Sequence, residues 1–500
     1  MQIEGQRFLV VGLARSGLAA ARFLHRRKGR VTVNDQASEE RLQPWIKELP
    51  SGVRLVLGGH PQEEFLAADC IILSPGVPAS IPPLGAARER EVPILAEVEL
   101  AYRFLKGKLV GITGSNGKTT TTTLLGHLLS MAGRDVRVAG NVGNALIAAV
   151  DADEMENPGK DDHASNRSER CYVTELSSFQ LETIDTLHPH IALLLNITPD
   201  HLDRYSCFDD YRHAKERIFL NQGRDDWAVL NWDDPHCRRA AEPIAAKVFP
   251  FSRKQPLPEG ACLGQDGKLI VCRHQDKEIP ILAADRFPLP GKHNLENALA
   301  ACAAGFLLGL SGPEMADGLL TFKGVEHRLE WCGSSGGIDF YNDSKATNVD
   351  SALKAIEAFP ARKLLLIMGG LDKGGDFTSL REVVAENVNQ LFLIGAASSK
   401  IAAQLKGSAP LVEAGEIERA VDEALKSARE GDVVLLAPGC ASFDQFDNFA
   451  HRGEVFKRVV QERLKSHSPE EAPQGRSRES QQKNSQDGSQ ETLSKGNQSA

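Results

Sequence analysis

The sequence lacks the features that mark membrane and exported proteins. No apolar run reaches the roughly 18 residues that a membrane-spanning helix needs, and the first residues, MQIEGQRFLVVG, lack the charged and apolar regions of a signal peptide. The net charge of −9 gives the chain no overall attraction for nucleic acid, so a polyanion would have to be bound at a local site. We therefore expect a cytoplasmic enzyme that acts on small molecules, with neither nucleic acid nor a membrane as partner.

Paired cysteines are also missing. The nine cysteines are scattered and form no C-x-x-C pair, which argues against a zinc framework or a disulfide scaffold and suits a reducing compartment. We expect each cysteine to be a small, buried hydrophobic side chain. No repeat of fixed period occurs, so the pattern does not favour a repeat architecture.

The chain instead alternates short apolar runs with amphipathic stretches, which is typical of parallel β-sheets with crossover helices. Its 500 residues correspond to about three domains, and we place these at residues 1–96, 97–323 and 324–465 of an α/β fold. Residues 466–500 contain almost no apolar side chains and are predicted to be a disordered tail. Residues 151–170, DADEMENPGKDDHASNRSER, are predicted to be a surface excursion too polar to pack.

The stretch GITGSNGKTTT, residues 111–121, has the composition of a phosphate-binding turn. Glycines between a strand and a helix allow backbone N–H groups to turn inward, and the start of the helix adds its positive end. Lys118 could then contact phosphate oxygens, and the Thr119 hydroxyl could ligate Mg²⁺. The usual spacing would place glycine at 112, where this chain has Ile112. The pattern predicts a nucleoside triphosphate site, with a simple strand-to-helix turn as the alternative.

A second glycine pattern, GLARSG, lies at residues 12–17, and Asp35 ends the next apolar run. The arrangement is similar to a dinucleotide fingerprint, in which an acidic residue takes a ribose hydroxyl. The middle glycine is replaced by Ala14, however, so a close approach of the backbone to a diphosphate is less easily made. A nicotinamide or flavin site, a different nucleotide and a purely structural turn all remain open for this segment.

Two further apolar runs end in polar residues. CYVTE ends at Glu175, and the run IALLLNITPDH ends at Asp200 and His201. Ligands of open α/β sheets lie outside the carboxyl ends of the strands, so these residues should meet the phosphate turn at one sheet edge. A carboxylate and a threonine hydroxyl can share one Mg²⁺.

Nine motifs resemble the Mur ligase family in their order along the chain: TGSNGKTTT, GNVG, ELSSFQLE, NITPDHLDRY, YRHAKERIF, GKHNLENALAA, EHRLE, NDSKATN and ASFDQFDNFAHRG. The resemblance implies a Rossmann-like N-terminal domain, a central P-loop ATPase-like domain with a parallel sheet, and a C-terminal Rossmann-like α/β domain. The implied activity is ATP-dependent joining of D-glutamate to UDP-N-acetylmuramoyl-L-alanine through an acyl phosphate, in peptidoglycan precursor synthesis. A monomer is expected. The alternative is a sister ligase that adds a different amino acid.

The resemblance also assigns site residues by position in this sequence. For ATP the matching residues are Gly114, Ser115, Asn116, Gly117, Lys118, Thr119, Thr120, Asn294, Asn297, Arg328 and Asp343. For the UDP-sugar they are Ser16, Asp35, Gly76, Asn141 and Ser177. For D-glutamate they are Lys345, Thr347, Lys373, Ser442 and Phe449. For two Mg²⁺ ions they are Thr119, Glu175, His201 and Lys215, the last as a carbamate. Lys118, His201 and Lys215 are the implied catalytic residues.

One departure from the family pattern concerns the UDP end of the substrate. Some relatives carry Thr-Arg after the residue that matches Asp35, whereas this chain has Gln36 and Ala37. An arginine contact to the UDP moiety is therefore missing or comes from elsewhere, with Arg15 as the candidate. Two readings from other classes are a redox enzyme that uses GLARSG and a nucleotide-dependent regulatory protein. The redox enzyme would not need the phosphate turn with Lys118 and Thr119. The regulatory protein would keep that turn but has no evident need for Lys215 or for the lysines at 345 and 373.

Overall fold

A computed structural model describes residues 1–156, 170–200, 204–360 and 363–467. Within these ranges the strands form three sheets, each with its own covering helices. We call the regions built on them the first, central and third domains. The three-domain α/β fold predicted from the sequence is confirmed, while the boundaries at 96/97 and 323/324 stay predictions. No helix in the described ranges combines the length and apolar character that crossing a membrane requires.

The first sheet has the order β3-β2-β1-β4-β5, with all strands parallel. Its strands are β1 (Arg7–Val11), β2 (Arg30–Asp35), β3 (Arg54–Leu57), β4 (Cys70–Leu73) and β5 (Ile94–Ala96). The helices that accompany it are α1 (Arg15–Arg26), α2 (Glu39–Ile46), α3 (Gln62–Ala67), α4 (Pro82–Glu89) and α5 (Glu97–Tyr102). This is the Rossmann order: the chain adds β2 and β3 on one side of β1 and then β4 and β5 on the other, so the strand order reverses between β1 and β4. Ligands bind at such a switch point.

The central sheet has the order β14-β13-β12-β11-β10-β9-β6-β8-β7. Its strands are β6 (Lys108–Thr113), β7 (Val136–Gly140), β8 (Cys171–Glu175), β9 (Ile191–Leu194), β10 (Trp227–Asn231), β11 (Lys247–Ser252), β12 (Gly260–Leu263), β13 (Leu269–His274) and β14 (Lys277–Ala283). Its helices are α6 (Lys118–Met131), α7 (Leu146–Glu156), α8 (Ser178–Leu181), α9 (Phe208–Glu216), α10 (Pro235–Ala240), α11 (Lys292–Leu307) and α12 (Gly312–Thr321). Strands β6 to β12 are parallel, and an antiparallel meander of β12, β13 and β14 extends the sheet. Because β6 lies between β8 and β9, the phosphate turn is flanked by both polar strand ends.

The third sheet has the order β15-β16-β20-β17-β18-β19, antiparallel only between β15 and β16. Its strands are β15 (Glu330–Ser335), β16 (Ile338–Asn342), β17 (Leu364–Gly369), β18 (Val388–Ile394), β19 (Leu411–Gly415) and β20 (Val433–Leu436). Its helices are α13 (Val349–Glu357), α14 (Arg381–Asn387), α15 (Ser398–Gln404), α16 (Ile417–Ser427) and α17 (Phe449–His467). The inner strands are continuous apolar runs because helices cover both faces of the sheet.

The prediction of an unpacked excursion at residues 151–170 is wrong at both ends. Helix α7 runs through Glu156, and Asp153 on it is buried. That carboxylate accepts hydrogen bonds from Arg137, Arg170 and Tyr172, at 2.9, 2.6 and 2.5 Å. A buried charge is tolerated when it is paired and hydrogen-bonded, which composition alone does not reveal. Residues 157–169 lie outside the described residues.

Two smaller sequence predictions are also wrong in part. Cys207 is exposed at the start of α9, so the expectation that every cysteine is buried is wrong for this one, while the other eight are buried. Helix α17 extends to His467, two residues into the predicted tail. Residues 468–500 lie outside the described residues.

Charged side chains join the first and central domains. Arg26 and Arg27 on α1 pair with Asp151 and Glu154 on α7. Next to them, Glu99 on α5 accepts hydrogen bonds from the backbone N–H groups of residues 185, 186 and 187, at 2.8 to 3.1 Å. Arg103 and the Thr186 hydroxyl complete this shell at 2.9 and 2.6 Å. Glu99 therefore fixes the turn before β9 to the helix that follows β5.

We expect Glu99→Gln to lower the free energy of unfolding by about 2–4 kcal/mol, because an amide nitrogen would face backbone donors in a buried site. Burial alone would raise the pKa of Glu99, but the hydrogen bonds outweigh it and lower the pKa. The stabilisation is thus fully present above the ordinary glutamate pKa of about 4.3, and is lost as the pH falls through the lowered value. Urea denaturation of both proteins at neutral and acidic pH measures the difference.

Glu89→Gln is the matched control, since Glu89 is exposed on α4. It should change the free energy of unfolding by less than about 0.5 kcal/mol. A Glu99 variant as stable as this control at neutral pH would contradict the prediction.

Candidate active site

The phosphate turn has the geometry that its sequence predicts. Strand β6 ends at Thr113, Gly114 and Gly117 have φ of +154° and +84°, and α6 begins at Lys118. Within the described residues no side chain caps the start of α6, so its first N–H groups and positive end are available to an anion. A methyl group on Gly117 would lie 2.3 Å from Oδ1 of Asn297. Glycine is therefore required there for two separate reasons.

Asn196, which the sequence analysis did not single out, holds this turn from the neighbouring strand end. The backbone N–H of Asn116 donates to the Asn196 side chain at 2.8 Å, and that of Ser115 donates to the Asn196 carbonyl at 2.9 Å. The Ser115 hydroxyl reaches the Thr198 carbonyl at 2.9 Å. The only sequence signal was the position of Asn196 just beyond the end of β9 at Leu194, at the carboxyl edge of the sheet.

Two lysines converge on the Gly114 carbonyl. The Nζ atoms of Lys118 and Lys215 each donate to this oxygen at 2.8 Å. Burial, and for Lys215 also the nearby Lys118 charge, lowers the pKa of both ammonium groups. Lys215 is 2% exposed. It therefore does not face solvent, although the amphipathic pattern of α9 would allow that position. Burial with a lowered pKa favours the neutral amine that carbamate formation requires.

The surroundings of the Glu175 carboxylate fit a divalent cation. One carboxylate oxygen accepts a hydrogen bond from Asn141 at 2.8 Å, while Oε2 is buried and has no hydrogen-bond partner within the described part of the chain. A buried, unsatisfied anionic oxygen is costly without a cation. The Thr119 hydroxyl, at the first turn of α6, is a further oxygen ligand of the type that Mg²⁺ takes. His201 lies outside the described residues, and the rest of the described chain contains no cluster of three acidic, His or Cys side chains placed to hold a metal.

Asn294 and Asn297, which the family resemblance places on the adenine side of ATP, lie on one face of α11, because they are three residues apart. Asn294 and Asn297 are both buried, and Asn297 accepts a hydrogen bond from the Thr121 hydroxyl at 3.2 Å. Asn297 lines a cavity of about 220 Å³ between the central and third domains, whose walls also include Asn116, Gly117, Arg328, Asp343 and Lys345. The structure thus brings together residues from distant parts of the sequence. Thr120, also assigned to this site, is buried in α6 behind the turn.

Arg328 and Asp343 come from the third domain. Arg328 sits between His327 and Leu329, whose φ angles of +62° and +41° are strained for residues with side chains. Asp343 is buried, which raises its pKa to about 6 against the opposing effect of the Arg328 charge. His293 and Phe251 also line the cavity and were not predicted, although His293 directly precedes Asn294 in GKHN. Burial lowers the pKa of His293 to about 4, so its imidazole is neutral near pH 7.

The residues assigned to D-glutamate lie at the carboxyl edge of the third sheet. Lys345 Nζ is 5.9 Å from the ring centroid of Phe449 and 3.4 Å from the Thr119 hydroxyl, so it reaches the central domain. Burial lowers the pKa of Lys345 to about 8, with Arg328 adding to the effect. Backbone hydrogen bonds of 2.9 and 3.0 Å between residues 371 and 441 bring the loops of Lys373 and Ser442 side by side. The Thr347 N–H donates to the Lys345 carbonyl at 2.9 Å.

Arg452 organises these loops and was missed in the sequence. It is 1% exposed and donates to the carbonyl oxygens of Ser344, Cys440 and Ala441 and to the Ser344 hydroxyl, at 2.8 to 3.3 Å. Burial lowers its pKa to about 10. Its position in AHRG, within an exposed-looking polar motif, carried no signal of this role.

The residues assigned to the UDP-sugar surround the switch point of the first sheet. Asp35 accepts backbone hydrogen bonds from Leu13 and Ala37, at 2.7 and 2.8 Å, so its carboxylate shapes the turn after β1. Ser16 lies in the first turn of α1, and the space above Gly76 is open. Asn141 faces this region from the central domain. Ser177 is the N-cap residue of α8 and forms a capping box with Gln180. These hydrogen bonds occupy part of the hydrogen-bonding capacity of the Ser177 side chain.

We expect Gly117→Ala to reduce the affinity for ATP at least about tenfold, because the methyl group would displace Asn297 and strain the turn. Isothermal titration with ATP measures the change. The control is Gly133→Ala, where φ is +70° but a methyl group would meet no atom within 4 Å. Equal ATP affinities in the two variants would contradict the prediction.

Family models match most of the chain. Residues 6–96 match the N-terminal domain of MurD-like Mur ligases, residues 112–305 the Mur ligase middle domain, and residues 327–440 the glutamate ligase domain of Mur ligases. These ranges agree with the three sheets.

Curated relatives and solved structures agree with these matches. A protein of Acidobacterium capsulatum named UDP-N-acetylmuramoylalanine--D-glutamate ligase is 48% identical over 92% of this chain and 97% of its own length. A protein of Koribacter versatilis with the same name is 43% identical over 92% and 98%. In fold, the chain is similar to the MurF ligase of Thermotoga maritima solved with ADP (TM-score 0.57, 19% identity, 93% and 99% covered) and to MurC of that organism (TM-score 0.53, 19% identity, 92% and 100% covered). The chain belongs to the Mur ligase family.

Proposed function

We propose that the protein is an ATP-dependent ligase that joins D-glutamate to UDP-N-acetylmuramoyl-L-alanine in peptidoglycan precursor synthesis. The observation that carries the proposal is the meeting of the phosphate turn with Lys345, which extends from the third domain to 3.4 Å from the Thr119 hydroxyl. A group assigned to the amino-acid substrate thereby lies beside a group assigned to the nucleotide. The names of the relatives at 43–48% identity support the choice of D-glutamate.

The reaction needs activation because a carboxylate is a poor electrophile at neutral pH. The carboxylate of the L-alanine arm attacks the γ-phosphorus of ATP, ADP leaves, and an acyl phosphate forms. The amine of D-glutamate then attacks the acyl carbon, and phosphate leaves from the tetrahedral intermediate. The chain contributes positioning and charge stabilisation, with Lys118 and the N–H groups of the turn facing the phosphates. Arg328 adds a positive charge from the third domain.

We assign two Mg²⁺ ions to Thr119, Glu175, His201 and Lys215. When bound, Mg²⁺ neutralises charge on the phosphate oxygens. The neutral Lys215 amine would add to the carbon of CO₂ and release one proton to solvent, which gives an anionic carbamate. Counted from the ammonium form, two protons leave, so a buried cation is replaced by an anion. That change removes the repulsion between Lys215 and Lys118 at the Gly114 carbonyl, where both now donate at 2.8 Å.

The amino-acid pocket must neutralise the two carboxylates of D-glutamate. Lys345 and Lys373 supply positive charge, and the hydroxyl groups of Thr347 and Ser442 supply donors. Phe449 packs beside Lys345. All of these groups come from one chain, so a site assembled in this way is compatible with the predicted monomer.

The decisive test is phosphate release from ATP and Mg²⁺ with UDP-N-acetylmuramoyl-L-alanine and one of several amines. We expect release with D-glutamate only, with a product of the corresponding mass, and none with L-glutamate, L-lysine, diaminopimelate or no amine. Release with another amine would assign the chain to a sister step. No release with any amine would favour a nucleotide-dependent regulatory protein.

We expect Lys215→Ala to lose ligase activity and to regain part of it in excess bicarbonate or short carboxylic acids, which can place an anion in the vacated space. Lys254→Ala, at an exposed lysine, should keep full activity and be insensitive to these additives. If neither additive restores Lys215→Ala, the carbamate assignment fails while the ligase assignment stands.

A further inference from the structure

The two lysines assigned to D-glutamate are held in different ways. Lys345 is half-buried, and its Nζ lies 3.4 Å from the Thr119 hydroxyl. Lys373 is exposed, on the loop that follows β17. An exposed lysine has many rotamers, and binding a substrate carboxylate costs it that freedom. The affinity of the pocket for its substrate therefore depends on what fixes the backbone of Lys373.

Asp372 fixes that backbone. Its Oδ1 accepts hydrogen bonds from the N–H groups of Gly374 and Gly375, at 3.0 and 2.9 Å. An aspartate that bonds to the backbone two residues on closes a tight turn. Gly374 has a φ of +85°, which residues with side chains disfavour, so the chain reverses directly after Lys373. The lysine lies between the acceptor and its two donors, and the turn holds it from both sides.

Helix α15 fastens this loop at both ends. Lys400 on the helix donates to Oδ2 of Asp372 at 2.7 Å. Gln404, one turn further along, accepts a hydrogen bond from the backbone N–H of Phe377 at 2.9 Å, and the Phe377 side chain is fully buried. Because residues four apart share a face of a helix, one face of α15 holds the segment 372–377 at two points.

A carboxylate directly before Lys373 is a competitor of the substrate. D-Glutamate brings two carboxylates to the pocket, and an ion pair between Lys373 and its neighbour would cancel charge that binds them. Both oxygens of Asp372 are occupied instead, Oδ1 by the two N–H groups and Oδ2 by Lys400. The hydrogen bond from Lys400 is the largest of the effects that lower the pKa of Asp372. Within the described part of the chain Lys373 forms no ion pair, so its charge is available to a ligand.

We propose that Asp372 and Lys400 are positioning residues for D-glutamate. Asp372 holds the backbone of Lys373 beside the loop of Ser442, and Lys400 keeps the Asp372 carboxylate from pairing with Lys373. The inference rests on the proposed function, in which Lys373 binds a carboxylate of D-glutamate. Neither residue needs to touch the substrate, because together they determine the place and the free charge of the lysine that does.

Asp376, the other carboxylate of this loop, provides an internal comparison. Its Oδ1 accepts hydrogen bonds from the N–H and the hydroxyl of Thr378, at 3.0 and 2.6 Å. These bonds cap the helical turn that starts at Phe377, and among the described residues no hydrogen bond of the Asp376 side chain reaches residues 373–375. Removing the charge of Asp376 should therefore leave Lys373 in place.

The test measures phosphate release from ATP with UDP-N-acetylmuramoyl-L-alanine as a function of D-glutamate concentration, with the full-length protein. Asp372→Ala should raise the KM for D-glutamate about tenfold, the size expected when a charged hydrogen-bonding group loses its placement. Asp372→Asn keeps an oxygen that can accept both N–H groups, so its KM should stay within about twofold of the wild type. In both variants kcat should change by less than about twofold, and the KM values for ATP and the UDP-sugar should be unchanged.

Lys400 is tested with double variants. Lys400→Met should raise the KM for D-glutamate about tenfold, because the freed Asp372 carboxylate pairs with Lys373. Adding Asp372→Asn should return the KM to within about threefold of the wild type, since no carboxylate then competes, whereas adding Asp376→Asn in its place should not. Lys426→Met is the matched control: it removes the same charge from an exposed lysine of α16 that pairs with Glu423, and it should leave the KM unchanged.

The outcomes separate the two roles from each other and from the proposed function. An unchanged KM for D-glutamate in Asp372→Ala, or equal rises in the KM values of all three substrates, would overturn the positioning role of Asp372. A Lys400→Met/Asp372→Asn protein as impaired as Lys400→Met alone would mean that Lys400 only fastens the loop and does not protect the charge of Lys373. A wild-type protein that releases no phosphate with D-glutamate would instead count against the proposed function, and the inference would fall with it.

Discussion

The site depends on an unfavourable pairing of charges at the end of β6. Lys118 and Lys215 are buried and donate to the same Gly114 carbonyl oxygen. In a medium of low dielectric constant, two ammonium groups at this separation repel strongly. Burial and, for Lys215, the other lysine both lower the pKa, whereas Glu175 and Asp200 oppose that effect. The arrangement favours whatever brings further negative charge, which the triphosphate of ATP would do and which a carbamate formed from Lys215 and CO₂ would also do.

Contacts between the three domains surround these charges. The first and central domains are held together by the four ion-paired side chains of α1 and α7, by Glu99 and by Arg15. The third domain reaches the phosphate turn through Lys345 and lines the nucleotide cavity with Arg328 and Asp343. ATP is assigned to the central and third domains, the UDP-sugar to the first and central domains, and D-glutamate to the third domain, so the reacting groups meet only where all three domains come together.

Much of this arrangement could be predicted from the sequence, because glycine spacing and strand ends obey local rules. The phosphate turn, the convergence of Glu175 on it and the shared face of Asn294 and Asn297 follow from strand and helix geometry. The burial of Lys215 could not be deduced from α9, whose amphipathic pattern also suits a solvated lysine. Only the family resemblance indicated it.

The residues that sequence reasoning missed act between distant segments. Asn196 and Arg452 bond to backbone groups that composition does not reveal. Asp153 was misjudged for the same reason, because its neutralising partners Arg137 and Arg170 lie on other strands or loops. Local patterns specify where a side chain stands along an element, but they do not specify which backbone or charge comes opposite it.

The contact between Gly117 and Asn297 would link the two ends of a nucleotide bound as proposed. Gly117 shapes the phosphate turn, the family resemblance assigns Asn297 to the adenine side, and no atom larger than hydrogen fits between them. A chain that acquired a side chain at 117 would have to change α11 at the same time, and a larger residue at 297 would press on the turn. The two positions should therefore vary together or not at all, and a change of base preference in this fold would have to begin at another wall of the cavity.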